Sequence, residues 1–444
     1  MGVAYQTRLD PIDSPAHRGH ARPRHVLLAV TVGNMLEWYD FAVYGFLTAV
    51  IAKVMFPAGD PTASLLLSLG TFGVGFLTRP AGALVFGALA DRKGRKSALL
   101  LTFGLMGAAT LAIGLIPPFA AIGVAAPLLV LLARLLQGLA AGGAVGGATA
   151  MLTEHAPPGR AGYFASWQAA SQAGALLLGA LAAATVSAIV SPGHLLDWGW
   201  RVPFFASAAI VPLGLYIRGR VGDPEVFVHQ TRATSSPLRL LWRTHRGAVA
   251  RGFGITIIWT VATYFFFIYV PLYAHTVLKL PMSATLFSNS LALAVMLGVA
   301  PMAGHLSDRV GRYRPMIGAA LAIVLLVLPG FSFLSSHPHA AALTAFQVAS
   351  AVLAALFMGP APAAIAELFP VGVRSSGVGV AYSFSVMLFG GFAPFIATGL
   401  IALTGNPLSP TWYVMLCCGL GLAALLLTLR TSPRDPGRIG RAGN

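Results

Sequence analysis

A charged cassette stands twice in this chain, each time wedged between long apolar runs. GALADRKGR at 87–95 returns as GHLSDRVGR at 304–312, 217 residues on (304 − 87) in a chain of 444. Such a segment cannot lie in an apolar core, so each copy must be a hairpin between two buried helices. A second echo keeps the same order. Glu154, Pro157, Arg160 and Gly162 return as Glu367, Pro370, Arg374 and Gly377, at an offset of 213 (367 − 154). Two echoes at nearly one offset mean that each half repeats one plan.

Composition decides what surrounds those halves. The chain is 57% hydrophobic and 9% charged, where soluble domains carry about 25% charged residues. Apolar runs long enough to cross a bilayer fall near 26–54, 64–90, 97–116, 125–152, 162–190, 201–219, 250–276, 285–307, 315–334, 340–366, 374–403 and 411–430. The expected fold is an all-α membrane protein, with twelve transmembrane helices in two pseudo-symmetric six-helix bundles at 26–219 and 250–430. A linker at 220–249 joins them, with tails at 1–25 and 431–444. Repeated halves in an apolar chain point to a secondary transporter.

The net charge of +16 raises a nucleic-acid partner, but the positions of the basic residues exclude it. They cluster in Arg8–Arg24, Arg92–Lys96, Arg218–Arg251, Arg309–Arg314 and Arg430–Arg441, with few beyond Lys53, Arg201 and Lys279 on the other side. That asymmetry is the positive-inside pattern, which expects both termini in the cytoplasm of a multi-pass inner-membrane protein. The N-terminal stretch lacks an apolar core and reads as a tail rather than a signal peptide. Adjacent Cys417 and Cys418 staple nothing and read as small apolar side chains.

The chemistry concentrates in a few deep polar residues. Glu37 and Asp40 lie roughly 18–23 Å along the first span from a start near His25, with Asn34 and Tyr44 nearby. Carboxylates at that depth must be protonated, paired or facing water, and two within one turn repel. They are the candidate proton-coupling pair. Arg134, with Gln137 beside it, is the clearest deep cation and suits a partner for a carboxylate or a hold on an anionic substrate. Arg79, before Pro80, reads as snorkelling toward a membrane face. Gln168 and Gln172 form an i,i+4 stripe that suits either substrate or helix contact. Tyr264, Tyr269, Tyr273 and Tyr382 are further candidates to line a cavity. Gly142, Gly143, Gly146 and Gly147 suit close packing or a hinge, and Pro360 and Pro362 should bend the tenth span. At the charged mouth, Asp91, Arg92, Arg95, Glu154, Asp308, Arg309, Arg312, Glu367 and Arg374 make a candidate latch of ion pairs.

The signature G-x-L-x-D-R-x-G-R, present twice, resembles that of the major facilitator superfamily over nearly the whole chain. The segments Gly33–Phe41, Arg79-Pro80, Gly199–Phe204 and Glu367–Gly377, with Phe389-Gly390-Gly391, are similar to its metabolite:proton symporter family. Ser166–Gln172 looks most like the citrate and tricarballylate branch. The resemblance implies import of a small organic acid with protons by alternating access, with proline, betaine or shikimate as alternative cargo. It implies no cofactor beyond the coupling protons, and a monomer. One departure is Ala144, where relatives commonly carry an acidic residue. A transporter-fold sensor is the other alternative. No H-E-x-x-H, G-x-S-x-G or paired Cys/His metal spacing supports an enzyme or a metal site.

Overall fold

The computed structural model describes residues 23–207, apart from Gly94 and Gly143, and 241–431, apart from Trp242. Every regular element among the described residues is helical. That is the solution an apolar solvent imposes, because a helix satisfies its own backbone. Ten helices are long and apolar enough to cross a membrane, and Leu101–Leu115 adds a shorter apolar one.

In chain order the spans are Pro23–Met55; Pro61–Val74 with Arg79–Lys93; Arg95–Leu115; Ala125–Ala140 with Ala144–Glu154; and Ala161–Ile189. A sixth begins at 202–207, where description stops. The second half supplies Arg246–Thr276, Met282–Val310, Tyr313–Ser336, Ala340–Met358 with Ala361–Ala366, Val371–Thr404, and Pro410–Thr431. They are called the first to twelfth spans below. The expected linker at 220–249 and both expected tails lie largely outside the described residues.

Five spans are interrupted. In the second, Pro80 has no N–H to give the carbonyl of Phe76, which instead accepts from Arg79 N at 3.3 Å. Thr78 Oγ1 donates to Leu135 O of the fourth span at 2.8 Å. The fourth span breaks near Gly142, and the tenth bends at Gly359-Pro360, as Pro360 leads one to expect. The seventh and eleventh spans widen into π-helical turns at Phe265–Tyr269 and Val386–Gly390. Neighbours take up carbonyls there: Asn289 Nδ2 donates to Phe267 O at 3.0 Å, and Tyr413 OH to Phe389 O at 2.5 Å. Bulges of this kind gather at functional sites.

Close glycine contacts set the helix spacing. A Cβ at Gly138 would stand 1.6 Å from Gly75 O, and one at Gly82 would stand 1.9 Å from Leu139 O. The second and fourth spans therefore touch backbone to backbone. Gly146 bears in the same way on Ser375 O of the eleventh span. Packing is what these glycines do here. In the seventh span 94% of the apolar window is buried, against 33% in the ninth. The seventh therefore lies inside the bundle and the ninth at its rim, where Leu325 and Leu326 face outward.

Candidate functional site

The middle of the molecule holds two buried guanidiniums in an aromatic box. The first span presents Trp38, Phe41 and Tyr44 at a spacing of three, and the second presents Phe72, Phe76 and Arg79 at spacings of four and three. Both patterns keep one helix face. Arg79 Cζ stacks 4.7 Å from the Phe41 ring centre, 4.9 Å from Phe76 and 5.5 Å from Trp38. Arg134 Cζ lies 4.6 Å from Tyr44 and 4.9 Å from both Phe41 and Phe72. Phe41 serves both cations. Tyr264 of the seventh span closes the box, 5.4 Å from Phe76 and 6.3 Å from Trp38.

Arg79 thus departs from the expectation of snorkelling. It is 1% exposed. The break before Pro80 starts a new helical segment at Arg79, and the aromatic faces of two spans receive its guanidinium. Arg134 also differs from one of its expected roles, since it pairs with no carboxylate among the described residues. Its Nη1 donates to Gln137 Oε1 at 2.8 Å and its Nη2 to Phe72 O at 3.3 Å.

The two carboxylates of the first span look in different directions. Asp40 accepts from Ser207 Oγ of the sixth span, and Thr110 of the third lies beside it. Gln137 Nε2 donates to Thr110 Oγ1 at 2.7 Å, and Thr110 Oγ1 in turn donates to Met106 O at 3.0 Å. Glu37 instead acts electrostatically on Tyr264 and Tyr382, the tyrosines that Arg79 also influences. One carboxylate faces into the first half of the chain and the other faces the second.

Among the described residues, several buried donors have no partner: Arg79 Nε and Nη2, Arg134 Nε, Tyr264 OH and Gln172 Nε2. Unsatisfied buried polar groups are rare and call for an explanation. Donors outnumber the unpartnered acceptors, such as Gln168 Oε1 and Gln347 Oε1, which fits an acceptor-rich guest. The amide stripe divides in the same light. Asn34 and Gln168 bond each other, with Gln168 Nε2 to Asn34 Oδ1 at 3.0 Å, while Asn34 Nδ2 also donates to Ser171 Oγ at 2.8 Å. Gln168 is thereby mainly helix contact. Gln172 Oε1 accepts from Trp259 Nε1 at 3.0 Å across the halves, and Tyr382 stacks on Trp259 at 5.4 Å. The Tyr44 hydroxyl is spent on Ser68 O at 3.2 Å, leaving its ring to support Arg134.

The second half answers with neutral groups. Gln347 stands 213 residues after Arg134 (347 − 134), the offset that relates Glu154 to Glu367. It donates to Asn289 Oδ1 at 3.2 Å. All the charge buried among the described spans lies in the first half. Sequence reasoning missed Gln347, Asn289, Thr110, Ser207 and Trp259; the repeat offset, applied to Arg134, would have found the first. Tyr269 and Tyr273 stack with Phe265 and Phe331 rather than joining the box. Ala144 is exposed. No group of three or more potential metal ligands occurs among the described residues.

At the charged face the two halves are clamped. Asp308 accepts from the N–H groups of Gly162 and Tyr163 at 2.8 and 2.9 Å, capping the fifth span from the other half of the chain. A carboxylate suits a helix N-terminus. Arg312 pairs with Asp308 at 2.5 Å and with Glu367 at 3.0 Å, and Arg374 pairs with Glu154 at 3.2 Å. Burial alone would lower the Arg312 pKa, but Glu367 and then Asp308 outweigh it and hold it above the ordinary arginine value. Its charge is therefore constant at working pH. Arg309 is exposed, outside these contacts. The side chains of Asp91, Arg92 and Arg95 lie outside the described residues.

Comparison with known proteins agrees with this architecture. The family model described as Major Facilitator Superfamily matches residues 30–336 and 290–443. A citrate-proton symporter of Salmonella typhi is 38% identical, covering 90% of this chain and 93% of its own. A proline/betaine transporter of Salmonella typhimurium is 31% identical, over 93% and 84%. A crystal structure of a D-xylose-proton symporter superposes with a TM-score of 0.72 at 17% identity, covering 94% and 99%. The relatives are transporters rather than enzymes, and the chain, with two six-helix bundles in a membrane, belongs to the Major Facilitator Superfamily.

Proposed function

We propose that this protein is a proton-coupled symporter importing a small di- or tricarboxylate, such as citrate or tricarballylate, by alternating access. The observation that carries the reading is the donor-rich site: two buried guanidiniums, Tyr264 and Gln172 with donor atoms to spare. Both guanidinium carbons lie within 5 Å of one ring, at 4.7 and 4.9 Å, so one short polyanion can reach both. A trimethylammonium cargo would need the aromatic faces that the two arginines already fill, and it would meet their charge. That disfavours betaine and supports the organic acid.

Electrostatics gives the coupling its direction. Burying ions costs several kcal/mol each, and Arg79 and Arg134 are offset by the carboxylates Glu37 and Asp40. Each proton taken up by those carboxylates adds one positive charge to the site and favours an anionic guest. Substrate and proton must then favour the same transition. Asn34, Tyr44, Gln137 and Gln168 shape the site, and Tyr382 orients Trp259. The protein works as a monomer without a cofactor, its bundles at 26–219 and 250–430 joined by a linker at 220–249. Both termini lie on the cytoplasmic side, which makes the clamped face the cytoplasmic one.

Citrate uptake into proteoliposomes under an imposed pH gradient tests the reading. Wild-type protein should accumulate citrate. Asp40→Asn should lose gradient-driven accumulation while retaining citrate exchange. Wild-type accumulation by Asp40→Asn removes Asp40 from the coupling, and betaine uptake in place of citrate overturns the cargo.

A further inference from the structure

We propose that the third and fourth spans form a phospholipid site, which takes one acyl chain of an anionic phospholipid in an apolar groove and its phosphate on Arg201. The groove holds about 230 Å³, against roughly 10–15 Å³ for a single water. Every side chain lining it is Ala, Leu or Ile, so it offers water no hydrogen bond. Leu105, Ala109, Ala112 and Ile116 recur at spacings of four, three and four, which sets them in one row of the third span. Leu129 and Ala133 belong to the facing row of the fourth, and Leu129 is 43% exposed, so the groove opens to the bilayer. Behind it the two helices stay in contact, since Gln137 Nε2 donates to Thr110 Oγ1 at 2.7 Å. The hollow therefore comes from short side chains between Leu105 and Ile116, not from parted helices.

The length of the groove matches one leaflet. Leu105 and Ile116 stand about 16 Å apart along the helix at 1.5 Å per residue, and half of the hydrocarbon core is about 15 Å. The Ile116 end lies away from the clamped face. The third span ends there, and the fourth returns from Ala125 to Glu154, which is part of the clamp. A chain that enters beside Ile116 thus reaches Leu105 near the middle of the membrane.

That same end carries a cation, on a face where basic residues are few. Arg201 Nη1 donates to Gly114 O at 2.5 Å and to Ile116 O at 2.9 Å, and its guanidinium carbon lies 4.6 Å from the Trp200 ring centre. These contacts fix the guanidinium at the mouth while using one nitrogen and one face. Nε and Nη2 make no hydrogen bond among the described residues, and no carboxylate there pairs with Arg201. The residue is partly exposed, so its free edge is available to a headgroup. Trp198, three residues earlier and 50% exposed, suits the headgroup level, where tryptophan collects. An arginine edge matches phosphate geometry. A lone cation favours a headgroup of net negative charge, because a zwitterionic one brings an ammonium that it repels.

The full chain in detergent, photolysed with phosphatidylglycerol that carries a diazirine on its acyl chain, tests this. Mass mapping should place the label within residues 105–116 and 129–136. Unlabelled phosphatidylglycerol should compete about fivefold better than phosphatidylcholine of the same chains, the scale of one basic residue at an anionic lipid surface. Ala112→Phe puts a ring into the groove from an exposed position and should cut labelling about tenfold with an unchanged melting temperature. Arg201→Gln should keep the label in the groove and bring the two lipids to equal competition. It also releases two carbonyls, so Ala112→Phe, which leaves Arg201 in place, tests the groove separately. Equal competition by the two lipids in the wild type, label spread evenly over the spans, or undiminished labelling in Ala112→Phe overturns the proposal. So does a dimer that crosslinks through the groove and excludes the lipid, which would assign the hollow to a second copy of the chain. The readout involves no transport, so failure of the proposed cargo or coupling would leave it standing.

Discussion

Two guanidiniums buried against five aromatic rings are held by stacking, with Arg79 Nε and Nη2 and Arg134 Nε left without a hydrogen-bond partner. Arginine does this because its charge is spread over a plane whose faces stack and whose edges donate. A desolvated cation–π contact is worth about 2 kcal/mol or more, which offsets part of the cost of burial. Lysine would keep the charge and lose both the stacking and the fork. Arg79→Lys should therefore reduce citrate uptake efficiency about 100-fold, or about 2.7 kcal/mol, with unchanged yield and elution in size-exclusion chromatography. Arg134→Lys should lose as much and also release Gln137. Wild-type uptake by either variant would remove that arginine from the site. Arg134 was legible in the sequence because it stands alone in an apolar run. Arg79 was not, since its burial depends on the break before Pro80 and on aromatic faces of the first span.

Element positions follow from apolar run length, which is why the eleven spans described throughout were placed within a few residues by hydrophobicity alone. Their interruptions divide by cause. The bend at Gly359-Pro360 is written in the residues; the π-helical turns at Phe265–Tyr269 and Val386–Gly390 are not. Those turns depend on Asn289 and Tyr413, which approach from other spans and have no local signature. Close packing is legible as glycine, but the partner is not. At Gly138 the partner is Gly75 O, and even one methyl would stand 1.6 Å from it. Gly138→Ala should destabilise by about 1–3 kcal/mol or more, as overpacking does, and should lower the melting temperature in detergent. Gly104→Ala, with nothing within 4 Å of the new Cβ, should leave it unchanged or slightly raised through helix propensity. Equal melting temperatures for the two variants would mean that the second and fourth spans part easily, against the contact described.

The whole molecule is a pair of halves whose closed face depends on contacts crossing between them. Two cross directly, Asp308 on the start of the fifth span and Arg374 with Glu154, while Arg312 with Glu367 holds Asp308 in place from within the second half. Partly exposed ion pairs contribute little singly, about 0–1 kcal/mol. A balance between two open states needs no more than that to shift, since 1.4 kcal/mol is a factor of ten in population. The native cysteines, Cys417 and Cys418, are both 0% exposed, which leaves room for labels placed across the clamp. Spin labels at Pro158→Cys and Gly372→Cys, both exposed positions flanking it, should report one short distance in the wild-type background. Arg374→Ala should add a longer population, because it releases both Glu154 and its own bond to Ala366 O. Asp308→Asn should do so more strongly, since an amide gives the fifth span's N-terminus no charge and pairs weakly with Arg312. High salt should act in the same direction, most on the half-exposed Glu367 pair. If the distance distribution keeps a single short peak in Arg374→Ala and in Asp308→Asn at both salt concentrations, these contacts do not control closure. Backbone packing such as Gly146 against Ser375 O would then hold the face shut alone.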